Sequence, residues 1–392
     1  MAAETARMFQ ALEAQAQRLM GVFTKAGYEA VAPAILQPAD VFLDVVGENL
    51  RARTYVFSDP DGQELCLRPD LTVPTCRLHL ERHPEGNVKA RYCYNGPAFR
   101  FQPVGASAAH PREFRQAGIE LFAENRRPQA EVEVVRIILD ALKAAGLKSY
   151  GLRIGDLGLF QALLDAIDMP APWRTRLRQQ FWRPEAFRDE LTRLSTDPAR
   201  ALHDLPADLI DVLEADDLDD AEAAVSRYLS AKGIELIGAR SLREITQGLH
   251  AVAVDASASP LSRTSAELIE TYVKVKAPAR AAGARLADLM HRSGVDIEDA
   301  LSSYSERLQL LIDSGIDPAQ IEFSAEFGRN FEYYTGFVFE VVVPGLGAAS
   351  PVAGGGRYDG LLKAVGAPDP VPAVGSAIHT ERLLSAVSGV EP

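Results

Sequence analysis

Cysteine is scarce. Cys66, Cys76 and Cys93 are the only three in 392 residues, and no two of them form a Cys-x-x-Cys pair. An odd, sparse set in a long chain excludes a disulfide framework and reads as reduced, buried thiols of a cytoplasmic protein. Long apolar runs are also missing: no segment approaches 18 consecutive apolar residues, and no basic patch precedes an apolar run at the N-terminus. Neither a membrane span nor a secretory signal is therefore expected. Basic residues are in deficit, 41 Lys and Arg against 54 Asp and Glu, for a formal net charge of −13. Polyanion binding relies on Lys and Arg clusters that release counterions, so this balance disfavours a large nucleic-acid footprint while leaving room for a local basic groove. Hydrophobic residues make up 47% and charged residues 24% of the chain, the balance of a globular protein long enough for two or three domains and a sizeable core.

The most informative stretch runs from Tyr92 to Glu120. A β-type run, Arg91 to Tyr94, breaks at Asn95-Gly96-Pro97, restarts at Ala98-Phe99-Arg100, and is followed after a Gly/Pro/Ala loop by a second strand, Phe114 to Phe122. Two strands joined by one long loop predict a hairpin. Side chains alternate along a strand, so Gln116, Gly118 and Glu120 share one face, with an amide and a carboxylate pointing the same way and no side chain between them. This describes a polar pocket floor, and equally a sheet with one solvated face.

Elsewhere, Met8, Phe9, Leu12, Leu19 and Phe23 mark an amphipathic helix over 4–26 ended by Gly27, followed by an extended piece from Tyr28 to Pro33. Residues 54–58 and 64–70 read as strands about an Asp59-Pro60-Asp61-Gly62 turn. Residues 129–145 form a helix closed by Gly146. From there to about Pro318 the texture is helical, with helices over 157–169, 221–231, 242–252 and 279–291 and Pro- and Asp-rich connectors. The acidic run Asp216 to Asp220 reads as a solvated turn and helix N-terminus. Strands resume at 321–324 and 337–343. His79 and His83 lie four apart around Glu81 without forming His-Glu-x-x-His, so a solvated helix face is expected there and no metal site. Gly354 to Leu361 lacks the Gly-Lys-Ser/Thr ending of a P-loop.

The order Gly96-Pro97-x-Phe99-Arg100, loop, Arg112-Glu113-Phe114-x-Gln116-x-Gly118-x-Glu120 resembles motif 2 of the class II aminoacyl-tRNA synthetases, and most closely that of the histidyl-tRNA synthetases. Gly27 to Pro33 resembles motif 1, the dimer interface. Leu67-Arg68-Pro69-Asp70-x-Thr72 resembles a segment whose acid binds the α-amino group of histidine. Gly328 to Gly336 resembles the Arg-Gly-Leu-Asp-Tyr-Tyr-Thr-Gly motif, and Gly354 to Asp359 a segment lining the same pocket. Val374 to Arg382 resembles motif 3, with His379 where that motif has a glycine that lets ATP lie close to the backbone. The resemblance implies a histidine site of Asp70, Thr72, Gln116, Glu120, Arg329, Tyr333 and Tyr334, and a vestigial ATP site of Arg100, Arg112 and Arg382.

Against that pattern, the loop 102–111 contains no Lys or Arg, Gln102 replaces a Glu, and only ten residues follow Arg382. The expected fold is α+β: a class II synthetase-like antiparallel sheet flanked by helices, with core segments at 1–150 and 319–392, a mainly helical insertion at 151–318, and no anticodon-binding domain. A pocket for an amino acid that outlives the chemistry around it is the pattern of a sensor. The family so described is the regulatory subunit of two-component ATP phosphoribosyltransferase, which makes the first intermediate of histidine biosynthesis. That resemblance implies no catalytic residue, cofactor, metal or tRNA, a homodimer within a hetero-oligomer, free histidine as ligand, and a short-form catalytic subunit as partner. The competing readings are a shortened histidine-activating ligase and a tRNA-binding module without catalysis.

Overall fold

The computed structural model describes residues 5–43, 50–102, 105–106, 110–199, 202–215, 217–234, 241–256, 258–327, 333–347 and 349–388. Two compact units make up the chain: 1–162 with 273–392, and 163–272. The second unit is narrower than the segment 151–318 marked by helical texture, because the strands and helices at both ends of that segment build onto the sheet of the first.

The first unit opens with α1 (Ala6–Lys25), whose first turn is capped by the Thr5 hydroxyl accepting from the Met8 N–H at 3.2 Å. Leu12, Ala16, Leu19 and Phe23, three or four residues apart, are its buried stripe. Then come β1 (Glu29–Ala30), β2 (Leu36–Pro38), α2 (Ala39–Leu43), β3 (Tyr55–Ser58), β4 (Glu64–Leu67), α3 (Thr72–Arg82), β5 (Ala90–Phe99), β6 (Glu113–Phe122), α4 (Arg127–Ala144) and β7 (Gly151–Asp156). Helix α5 (Leu157–Ala166) leads out of this unit. The second unit holds α6 (Ala171–Gln180), α7 (Pro184–Thr196), α8 (Ala207–Glu214), α9 (Leu218–Ala231), α10 (Leu242–Ala256) and most of α11 (Arg263–Val273). Within it Leu209, Leu213, Ala221, Val225 and Ala253 form a small core, and Asp217 caps α9 by accepting from the N–H groups of Asp219 and Asp220. The chain re-enters the first unit through β8 (Lys276–Pro278), α12 (Ala279–Ser293), α13 (Glu298–Asp313), β9 (Ile321–Ser324), β10 (Phe337–Val342), β11 (Ala353–Arg357), α14 (Leu361–Ala364), β12 (Ala373–His379) and α15 (Thr380–Ser388).

The main sheet has nine strands in the order β1-β5-β6-β12-β11-β10-β7-β9-β8, and a second sheet has the order β2-β4-β3. All pairs in the large sheet are antiparallel except β1 with β5 and β7 with β9. The hairpin of β5 and β6 therefore lies near one edge of the sheet, between the short edge strand β1 and β12 from the far end of the sequence.

Two expectations need correction. Strand β5 does not break at Asn95-Gly96-Pro97: these residues stay in register opposite Ala117, Gln116 and Arg115, so pairing with β6 overrides the local turn preference. His79 is not on a solvated face. It is fully buried, with Nδ1 3.3 Å from the Tyr92 hydroxyl and Nε2 3.1 Å from the Gly86 carbonyl, and burial depresses its pKa. The described residues contain no cluster of three metal-ligating side chains, and their three cysteines are buried thiols.

A buried charge cluster fastens distant segments together. Arg307 of α13 donates to Glu131 of α4 and, at 2.6 Å, to Asp156 at the end of β7. Arg357 of β11 donates to the same Glu131 and, at 2.9 Å, to Asp359. Asp359 also accepts from the Ala373 N–H at 2.9 Å, and its own N–H donates to the Thr335 hydroxyl at 3.0 Å. The segment after residue 332 is thereby tied to the sheet.

Candidate functional site

Strand periodicity places Gln116, Gly118 and Glu120 on one face of β6, and all three are buried. Tyr94, the cross-strand partner of Gly118, fills the gap that the glycine leaves. A Cβ at 118 would stand 2.6 Å from the Tyr94 hydroxyl oxygen and 2.5 Å from the Ser376 carbonyl. On the other side Gly375 of β12 lies opposite Glu120, and a Cβ there would fall 1.6 Å from Glu120 Oε2. Two glycines in adjacent strands thus open a slot for one carboxylate.

In that slot Glu120 Oε1 accepts from the hydroxyls of Thr72 at 2.8 Å and Tyr94 at 2.9 Å, and Oε2 accepts from the hydroxyl of Tyr358. Burial pushes the Glu120 carboxyl up to about 7, and the three hydroxyls act against this by favouring the ionised form. Glu120 lies beneath the cavity floor; the groups that reach the cavity are those donating to it, Thr72 and Tyr358.

The cavity is about 20 Å3 and is lined by Asp70, Thr72, Arg100, Gln116, Tyr333 and Tyr334, with Gly354, Tyr358, His379 and residues 375–377 of β12 completing it among the described residues. A volume of roughly 10–15 Å3 holds one water, so in this conformation the cavity is water-sized. Asp70 sits just before the N-terminus of α3, where its Oδ1 accepts from the Val73 N–H at 3.2 Å. Its Oδ2 and the Oε1 of Gln116 are buried acceptors with no donor among the described residues. Burial raises the Asp70 pKa, while the charge of Arg100 and the N–H groups at the start of α3 lower it. Two unpartnered acceptor oxygens on one small cavity fit a cationic donor such as an ammonium group.

The other end of the site is held by the protein's own groups. Arg100 Nε donates to the Pro69 carbonyl at 2.9 Å, and its guanidinium lies 4.9 Å from the centre of the Phe114 ring. The His379 ring packs on the same Phe114 at 5.1 Å and 31°. Gln102 donates to the Pro111 carbonyl at 3.0 Å and accepts from Arg53 at 2.6 Å, closing the base of the loop. A carboxylate at 102 has no proton for Pro111, so the amide suits this role.

Of the residues expected at the site, Asp70, Thr72, Gln116, Tyr333 and Tyr334 line the cavity together with Arg100. Arg112 is exposed, its guanidinium 5.8 Å from the Phe101 ring, and Arg382 donates to the Pro351 carbonyl at 3.1 Å; neither lines it. Arg329 lies outside the described residues. Tyr333 and Tyr334 are at once core and cavity wall, their rings 4.8 Å apart. Sequence reasoning missed Tyr94 as a partner of Glu120. The available signal was a tyrosine placed across the hairpin from a glycine that separates two polar residues.

The family model for histidyl-tRNA synthetase matches residues 5–234 and 224–383. A solved structure described as an ATP phosphoribosyltransferase regulatory subunit/histidyl-tRNA synthetase from Bacillus halodurans superimposes with a TM-score of 0.69 at 20% identity, covering 99% of this chain and 82% of that one. The fold is thus that of the class II synthetases. In sequence, the ATP phosphoribosyltransferase regulatory subunit of Chelativorans sp. (strain BNC1) is 32% identical over 92% of this chain and 93% of its own length. The protein of the same name from Agrobacterium fabrum is 34% identical over 94% and 95%. Identity at that level along nearly the full length of both partners shows that this chain belongs to the family of ATP phosphoribosyltransferase regulatory subunits, built on the histidyl-tRNA synthetase fold.

Proposed function

We propose that this chain is a non-catalytic subunit that activates a short-form ATP phosphoribosyltransferase catalytic subunit in the first step of histidine biosynthesis, and that it binds free histidine as part of feedback control. One contrast within the site carries the reading. The amino-acid end keeps two buried acceptors, Asp70 Oδ2 and Gln116 Oε1, with no donor among the described residues, whereas the end that a nucleotide would need is engaged internally through Arg100, Gln102 and His379. The α-ammonium group of histidine goes to Asp70 and Gln116. Its ring goes toward Tyr334, Thr72 and Tyr358, with Glu120 holding the latter two hydroxyls from below.

The test is a phosphoribosyl transfer assay with the cognate short subunit, with and without this protein, across a histidine titration. Activation on mixing, and inhibition that needs more histidine in an Asp70→Asn variant, is the expected result. No activation by the wild-type protein overturns the assignment. The histidyl-tRNA synthetase family match supports a second reading, a histidine-activating ligase. Histidine-dependent exchange of labelled pyrophosphate into ATP would establish that reading in place of the first.

A further inference from the structure

Most residues around the cavity are buried. Among the described residues, the lining side chains that reach solvent are those of Arg100, Ala377 and His379, which puts them at the cavity mouth. Ala377 is too small to obstruct it. His379 stands directly across from Gln116 on the neighbouring strand, and opposed residues in an antiparallel pair project to the same face. Its ring rests on Phe114, two residues from Gln116 on that face, and the Arg100 guanidinium rests on the same ring.

We propose that Arg100 and His379, both propped on Phe114, form a gate over the Asp70 and Gln116 acceptors, and that an entering ammonium group takes over from the Arg100 guanidinium as the cation beside Asp70. The identity of the entrant as a free amino acid rests on the function proposed above; the gate itself rests on the geometry. With the gate shut, the cavity is water-sized and cannot admit an amino acid. Arg100 is the strongest influence favouring ionised Asp70 against burial. Swinging it outward alone would leave a buried carboxylate without its cation, which is costly. An ammonium donor arriving as Arg100 leaves removes that cost and supplies the proton donors that Asp70 Oδ2 and Gln116 Oε1 lack. Entry is thereby selective for molecules that carry an ammonium group, because one of the same size without a cationic group cannot replace the guanidinium.

A ligand-free experiment tests the gate. Thr72 is a buried part of the cavity wall whose side chain reaches the cavity, so Thr72→Cys places a thiol there. Its alkylation by iodoacetamide is followed by peptide mass spectrometry, which separates it from the native cysteines. Adding His379→Gly is expected to speed alkylation at position 72 by about tenfold or more, and Phe114→Leu, which removes the aromatic prop, to speed it as well. Unchanged rates in both double variants overturn the gate. A second arm uses histidine binding in stopped flow. A gating residue changes association and dissociation in the same direction, whereas a ligand contact acts mainly on dissociation. His379→Gly is expected to raise both rate constants; a change in dissociation alone also overturns the gate. Absence of histidine binding in wild type and variant alike would instead sink the ligand reading, with the alkylation result still deciding the gate.

Discussion

Glu120 shows how much of a single residue's role is set by its surroundings. Period-2 alternation on β6 already puts it on a face with Gln116, but its three hydroxyl partners come from α3, β5 and the segment after β11. Burial raises its pKa from 4.5 to about 7. Between those values the folded chain holds a proton that the unfolded chain has released, so this residue's contribution to stability falls as pH rises from about 4.5 to about 7. The difference corresponds to about 3 kcal/mol. Glu120→Gln cannot titrate, so relative to wild type it should gain about that much on going from pH 5 to pH 8. Urea unfolding of both proteins at the two pH values measures it, and parallel pH profiles would contradict the assignment of a buried, proton-holding carboxyl.

At the scale of elements, what matters is how closely strands approach at the glycines. Gly375 lies where a Cβ would fall 1.6 Å from Glu120 Oε2, and the hydroxyls that hold the carboxylate leave it no room to retreat. Gly375→Ala is expected to lower unfolding stability by about 3 kcal/mol or more, at or above the upper end of ordinary overpacking. Gly21 is the opposite case: it is exposed inside α1, and a Cβ there meets nothing within 4 Å. Gly21→Ala should stabilise by about 0.5–1 kcal/mol through helix propensity. Thermal and denaturant melts of the two variants should shift in opposite directions. The elements themselves were unevenly legible. Helix α1 and the hairpin of β5 and β6 follow from apolar spacing and alternation. The continuity of β5 through Asn95-Gly96-Pro97 does not, since those residues favour a turn and only pairing with β6 keeps them extended.

Across the whole molecule, the cluster of Arg307, Glu131, Asp156, Arg357 and Asp359 joins helices α4 and α13 to strands β7 and β11, spanning more than half of the sequence. Arg307 is 6% exposed and bonds to two carboxylates, so Arg307→Ala would leave both without it in a dry interior. The expected loss is about 3–5 kcal/mol, measurable by equilibrium unfolding. A loss below about 1 kcal/mol would show that water reaches the cluster. Because Asp359 also fixes Thr335, beside Tyr333 and Tyr334 of the cavity, this variant is further expected to weaken histidine binding in calorimetry.

Local chemistry in the sequence was enough to establish the hairpin of β5 and β6, the shared face of Gln116 and Glu120, and buried thiols, because strand alternation, helical spacing and turn residues act over a few neighbours, whereas the α+β class rested on the family resemblance. It placed Asp70, Thr72, Tyr333 and Tyr334 at one site only through resemblance, since nothing local brings residues 70, 116 and 334 together. Tertiary structure alone decided that Glu120 lies under the cavity floor, that His79 is core, that Asp70 Oδ2 and Gln116 Oε1 find no donor among the described residues, and that Arg100 and His379 share the Phe114 ring. These are outcomes of desolvation and of packing between strands far apart in the chain, and both depend on which atoms the fold removes from water.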